Sequence, residues 1–294
     1  MKLYRMIALA LTFALLITPS LAEFKGKQGE KATYESLING AAQGTAVYST
    51  EGKFRIGNTE TRKFSISDST GSRVEGYLDN NGKPIKVDYY TSNQSQSDMS
   101  VAFDYQRKVA TITYKSQLPT ANNSTAAPTQ TMNVNITSNQ YDATFITQSL
   151  RHLPIAPGYK ASFQLFNAPI AILMTSMTPL LTLMGVTLDP ASMAVSNSTL
   201  QVSGRESIKV GNSTYDCYKV IMEMSQEMPP QLAAIDPSLT SQKLEQQLWF
   251  RTSDLLLVRA YSEETTTAPS QTNATQTTQQ KTTYETRLIN VTYG

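Results

Sequence analysis

From Cys217 to Met224 the chain reads Cys-Tyr-Lys-Val-Ile-Met-Glu-Met, so Tyr218, Val220, Met222 and Met224 alternate with Lys219, Ile221 and Glu223. An extended strand sends successive side chains to opposite faces, and this spacing belongs to a strand with one apolar face. The alternation recurs in Met132, Val134 and Ile136, in Leu200 and Val202, in Ile208 and Val210, and in Ile289, Val291 and Tyr293. An apolar face backed by a polar one is the pattern of an antiparallel sheet covered on one side. Turn signals separate the runs: Glu51-Gly52, Asp79-Asn80-Asn81-Gly82 and Val210-Gly211-Asn212.

The N-terminus carries a different signal. Lys2 and Arg5 precede an uncharged run from Met6 to Ile17, and Ser20-Leu21-Ala22 follows. That is the order of a secretory signal peptide over residues 1–22, cut after Ala22, with Glu23 opening the mature chain. An uncleaved anchor is the other reading, but the run is short of the ~20 residues a span needs. This predicts export to the periplasm or cell exterior. Lys+Arg is 25 and Asp+Glu is 23 in the whole chain, and removing Lys2 and Arg5 leaves a neutral protein. A neutral chain without a basic run is a poor partner for nucleic acid. Asn-x-Ser/Thr triplets begin at Asn93, Asn122, Asn123, Asn135, Asn197, Asn212, Asn273 and Asn290, and on an exterior surface such triplets accept N-linked sugar.

Two stretches are low in complexity, at about 118–131 and 264–283. Both are too poor in apolar residues to order themselves. Each lies between strand-like runs, so both read as hairpin tips within a single β-rich domain over residues 23–294.

Helical spacing appears twice. Asp142 can cap a short helix bearing Phe145, Ile146, Leu150 and Leu153, ended by Pro154 and Pro157-Gly158. From Ala161 to Leu188 no residue is charged, and Ile170, Leu173, Met174, Met177, Leu180, Leu181 and Met184 recur at three- and four-residue steps opposite Thr175, Thr178 and Thr182. This predicts an amphipathic helix with a Met-rich face, bent or broken at Pro179. A core helix, a membrane span and a lid over an apolar cavity all fit. Strand patterns on both sides and the lack of flanking Lys or Arg oppose the span. Unbranched, polarizable Met suits a surface that accepts apolar ligands of varied shape. The ligand-binding expectation is Leu173, Met174, Met177, Leu181 and Met184 on the lid, facing Tyr218, Met222 and Phe250 on the sheet.

Catalytic chemistry is sparse. The single His, His152, reads as a helix-end residue, and the single Cys, Cys217, as a small buried one. Glu223 and Glu227 could pair as acid and base only across a cleft of fixed width. The sequence contains no Gly-x-Ser-x-Gly, His-Glu-x-x-His, phosphate loop or Cys-x-x-Cys. The expectation is no enzyme, no catalytic residue, no metal and no cofactor.

Several strings together resemble a known family. They are Tyr34 to Ala46, Asp142 to Gly158 with Leu150-Arg151-His152-Leu153-Pro154 at its centre, Val202 to Val210 with Tyr215 to Val220, and Leu248 to Asp254 with Leu257-Val258-Arg259. In this order they resemble the exported domain-of-unknown-function family 3108, itself similar to LolA-like half-barrels. The resemblance implies a mainly β fold: a curved antiparallel sheet with a few short helices covering its apolar face. It also implies handling of a lipid or other hydrophobic ligand in the envelope, not catalysis. The expected partners are that ligand and a membrane surface, and the expected state is a monomer. The competing reading is a structural cell-surface module, glycosylated on its hydroxyl-rich tips, without a small-molecule ligand. A secreted hydrolase is a third.

Overall fold

The computed structural model describes residues 24–91, 96–115, 128–183, 185–187, 189–226, 242–270 and 273–294. From β1 (Glu30–Ile38) the chain turns into β2 (Ala41–Ile56) and continues as β3 (Thr59–Asp68), β4 (Arg73–Asp79), β5 (Pro84–Tyr90), β6 (Met99–Asp104), β7 (Val109–Lys115) and β8 (Thr129–Asn135), an antiparallel meander running outward from β1. It reappears at the opposite edge as β9 (Gln140–Asp142), followed by helix α1 (Ile146–Leu150). It then steps back inward through β10 (Lys160–Phe166), helix α2 (Ala168–Leu183), β11 (Val195–Val210), β12 (Ser213–Gln226), β13 (Gln242–Arg251), β14 (Leu257–Ser270) and β15 (Asn273–Tyr293). β15 pairs with β1, so the first and last strands meet in the middle of a 15-stranded sheet. The pair β9–β10 is parallel, and the other pairs are antiparallel.

The β1–β2 turn shows how local chemistry starts the meander. Ile38 pairs with Ala41, and the two residues between them, Asn39 and Gly40, have φ of 50° and 77°. Two positive φ values in a two-residue loop match strand twist, and Asn-Gly is the pair that adopts them at least cost.

Connectivity dictates the curvature. β8 ends at Asn135 and β9 begins at Gln140, yet they are opposite edges of the sheet. The five residue steps between them reach at most about 17 Å. Laid flat, 15 strands would hold their edges roughly 65 Å apart. The sheet therefore curls round until its edges approach each other. Side chains bridge the approach: Tyr105 donates its hydroxyl to the Gln140 carbonyl at 2.9 Å, Lys83 Nζ donates to Ser138 O at 2.7 Å, and the Tyr89 and Thr144 hydroxyls lie 3.1 Å apart.

Two apolar clusters fill the inside of the curl. One gathers Tyr34, Phe163, Leu200, Val220, Met222, Leu248 and Phe250 from β1 and β10–β15. The other gathers Phe64, Leu78, Val87, Val101, Ile112 and Val134 from β3–β8. The α1 region straddles them, sending Phe145 into the second cluster and Ile146, Leu150, Leu153 and Ile155 into the first. A smaller cluster of Cys217, Trp249 and Val258 forms on the outer face.

Three expectations change. Glu51-Gly52 is not a turn: β2 runs through it, and the register steps from Thr50↔Phe64 to Lys53↔Arg62 in a bulge. The second low-complexity stretch pairs as a ladder, with Glu264↔Thr282 continuing to Pro269↔Thr277. Backbone pairing orders it, and Glu263 forms an ion pair with Lys281 at 2.7 Å. The predicted 142–153 helix contracts to Ile146–Leu150. Asp142 caps a turn upstream of it instead, with Oδ1 accepting the Thr144 amide at 2.8 Å. The signal peptide and most of the 118–131 stretch lie outside the described residues.

Candidate functional site

The charge-free stretch forms α2, a helix that continues through Pro179 rather than breaking there. Ala168, Ile170 and Ala171 enter the β3–β8 cluster, and Ile172 and Met174 pack against it. Thr175 Oγ1 lies 3.3 Å from Met132 Sδ on β8, which places α2 beside that edge strand. Farther along, Leu181, Val186 and Met193 form a small cluster with Met174 and Met177 at its border.

The threonines do not form the polar face that the spacing predicts. Thr175, Thr178 and Thr182 turn their hydroxyls onto the carbonyls of Ala171, Met174 and Thr178 at 2.8, 2.9 and 2.8 Å. Such back-bonding consumes the side-chain donor and leaves the methyl group outward. The helix thus presents an apolar skin over most of its surface. Leu180 is 56% exposed and Leu183 87%, while Leu173, Met174 and Met177 are half-buried. Spacing puts Leu180 on the apolar face but cannot say that no sheet lies beneath it.

The structure brings Leu173, Met174, Met177 and Leu181 together on α2, whereas Met184 lies outside the described residues. Tyr218, Met222 and Phe250 sit in the other cluster, and the last two have no exposed surface. The two expected halves of the site therefore belong to different cores. At the foot of α2, the space between Leu165, Ile170, Met193 and Gln226 is about 10 Å³, too small for ligand. A groove of about 430 Å³ lies elsewhere, across β10–β13. Its walls are Ser162, Gln164, Asn197, Thr199, Glu223 and Ser225, the neighbours of inward-facing Phe163, Ser198 and Met224, so it opens on the outer face.

The groups with chemical potential lie apart. His152 is buried behind α1, with Nδ1 3.2 Å from the Asn80 carbonyl and its ring 4.9 Å from Phe24. Burial pulls its pKa down to about 4, helped by Arg62 and Arg151. Cys217 is buried on the outer side of β12, and burial, with nearby Asp216, pushes its thiol up to about 12. Glu223 forms an ion pair with Lys243 at 3.1 Å, and Glu227 lies outside the described residues. Among the described residues, no group of three or more His, Cys, Asp or Glu could hold a metal ion. Among them, no helix is long and apolar enough to cross a membrane.

Sequence reasoning missed the clamp around Arg151. Its Nη1 and Nη2 donate to Glu30 Oε1 and Oε2 at 2.5 and 2.9 Å, and Nε donates to the Asp254 carbonyl at 3.3 Å. Phe24 lies against it, under the guanidinium groups of both Arg151 and Arg62. No local pattern announces a pair 121 residues apart.

Fold and site thus define a mainly β protein built on one curled antiparallel sheet. Residues 25–170 match the model of the family described as a protein of unknown function, DUF3108. The match runs from the N-terminal arm into α2, and the similar strings at 202–220 and 248–259 lie beyond it. No curated protein matches. Three solved structures are similar in outline. A candidate lipoprotein from Parabacteroides distasonis is 11% identical, with 93% of this chain and 100% of that chain covered, at a TM-score of 0.38. A candidate exported protein with YmcC-like fold from Bacteroides fragilis is 10% identical, with 92% and 99% covered, at 0.35. The hypothetical lipoprotein YmcC from Escherichia coli is 8% identical, with 99% and 97% covered, at 0.33.

Proposed function

We propose that this is an exported, non-catalytic envelope protein that engages an apolar ligand, such as a lipid acyl chain, at α2. One observation carries the reading: a helix without charge, half-buried along Leu173, Met174 and Met177, leaves Leu180 and Leu183 in solvent. An exposed apolar helix surface costs free energy in water and is relieved by contact with a hydrophobic partner. Export rests on Lys2, Arg5, the apolar run and Ser20-Leu21-Ala22. In this reading the ligand lies along the solvent-facing end of α2, at Leu180 and Leu183. It does not enter the cluster of Tyr218, Met222 and Phe250, which are buried. A monomer that touches a membrane surface through the same skin fits the arrangement.

The burial of Tyr218, Met222 and Phe250 favours a second reading, a structural surface module without ligand. The Met177→Lys variant separates the two. A lid residue at the border of a half-buried helix tolerates Lys, so the variant should keep its thermal unfolding transition while uptake of an apolar fluorescent probe weakens. A folded variant with unchanged probe signal overturns ligand binding at α2.

A further inference from the structure

Among the described residues whose side chains are placed, the sequon asparagines are Asn135, Asn197, Asn212 and Asn290, and all four are exposed. Three sit in ladders on the outer face. Asn135 is opposite Val109 on the edge strand β8, Asn290 is opposite Thr33, and Asn197 is paired on both sides, with Gln164 and Ser225. Asn197 also accepts a hydrogen bond from Gln164 Nε2 at 3.1 Å. Asn212 differs. It occupies the second position of the two-residue loop joining Val210 to Ser213, beside Gly211 at φ 58°. Ser213 and Thr214, which complete its triplet, are exposed as well.

We propose that Asn212 is an N-glycosylation site, modified by an oligosaccharyltransferase that uses a lipid-phosphate-linked sugar donor. A transferase must enclose the Asn-x-Thr stretch in its own cleft and contact the threonine hydroxyl. A residue held by a ladder on both sides presents that stretch only if strand hydrogen bonds break. At the hairpin tip Asn212 lies outside the ladder, and Ser213 and Thr214 pair on one side only, with Val210 and Lys209 of β11, so the stretch is presented with fewer broken strand bonds at Asn212 than at Asn197. In the transfer, the Asn212 carboxamide nitrogen bonds to sugar C1 as the C1–O bond to the lipid phosphate breaks. The phosphate leaves with the electron pair, and a transferase base takes the amide proton.

The inference rests on export, and the experiment separates the two. Protein isolated from the native host is sequenced from its N-terminus and mapped by tryptic mass spectrometry. Cleavage after Lys209 and Lys219 yields the peptide 210–219. A hexose- or hexosamine-bearing ladder on that peptide, in a chain starting at Glu23, is the expected result. A wholly unmodified peptide in a chain starting at Glu23 overturns the glycosylation proposal alone. A chain retaining Met1 overturns export and the proposal with it. Sugar found only at Asn197 or Asn290 refutes the accessibility argument. The Thr214→Ala variant keeps Asn212 and should lose the added mass, and persistence of that mass also overturns the assignment.

Discussion

Arg151 and Glu30, 121 residues apart, face each other through two charge-assisted hydrogen bonds with both side chains almost wholly buried. The pair ties the segment after α1 to the first residue of β1, in the middle of the sheet. Removing one member leaves the other charge buried without a partner, the costly case for a buried ion pair. Arg151→Met should therefore lower unfolding free energy by about 3–5 kcal/mol in urea denaturation. A loss below about 1 kcal/mol, the value of an exposed pair, would contradict the clamp.

Gly76 on β4 lies directly beneath Phe145, where an added Cβ would come within 2.6 Å of the ring. Phe145 is wholly buried, so neither side can give way cheaply. Gly76→Ala should cost about 1–3 kcal/mol through overpacking. Gly204, where an added Cβ meets nothing within 4 Å, is the control, and Gly204→Ala should unfold like wild type.

Two buried groups near α1 should set opposing pH dependences. Burial raises Asp142 to about 6, against which its Thr144 and Phe145 hydrogen bonds act, so the folded state holds a proton that the unfolded state releases. Its stabilisation is complete below the unfolded value of 3.8 and fades as pH rises through about 6. His152, lowered to about 4, stays neutral while the unfolded chain takes up a proton below 6.5, so its stabilisation fades as pH falls. Each effect amounts to about 3 kcal/mol. Between pH 4 and 6 they largely cancel. Asp142→Asn should make stability rise with pH across that range, and His152→Phe should make it fall. Urea midpoints at pH 4, 5 and 6 that keep the wild-type slope in both variants would disprove the assignment.

Phe24 lies one residue beyond the expected mature N-terminus. Its ring meets Phe64 edge-on at 5.4 Å and carries Arg62 and Arg151 at 4.6 and 4.9 Å. The arm thus bridges β3 and the α1 region, and Phe24→Ala should lower stability by about 1–3 kcal/mol. Differential scanning calorimetry should show a lower midpoint. An unshifted midpoint would show that the arm contributes nothing.

Much of the sheet was legible because strand burial is a local, period-two property. Tyr218, Val220, Met222 and Met224 point inward as their alternation requires, and Cys217 points the other way. The Asp79–Gly82 and Val210–Asn212 turns were equally local, since φ preference is written in the residues that adopt it. The Glu51-Gly52 bulge was not, because the same two residues serve a turn or a kink, and only the partner strand distinguishes them. The hydroxyl-rich ladder after Glu264 misled for a related reason: its order comes from backbone pairing, which composition does not report.

The candidate site divides in the same way. Sequence alone determined that residues 161–188 lack charge, that Ile170 to Met184 recur at helical spacing, and that five runs carry one apolar face, since these follow from side-chain chemistry and spacing. Only the tertiary structure decided which core that helix covers. Joining β8 to β9 by five residue steps forces the sheet to curl, and the start of α2 joins the β3–β8 cluster while Tyr218, Met222 and Phe250 share the other cluster with Ile146 and Leu150 of α1. It also brought Arg151 to Glu30. Contacts between residues more than a hundred positions apart depend on the path of the whole chain, and no window of sequence contains that path.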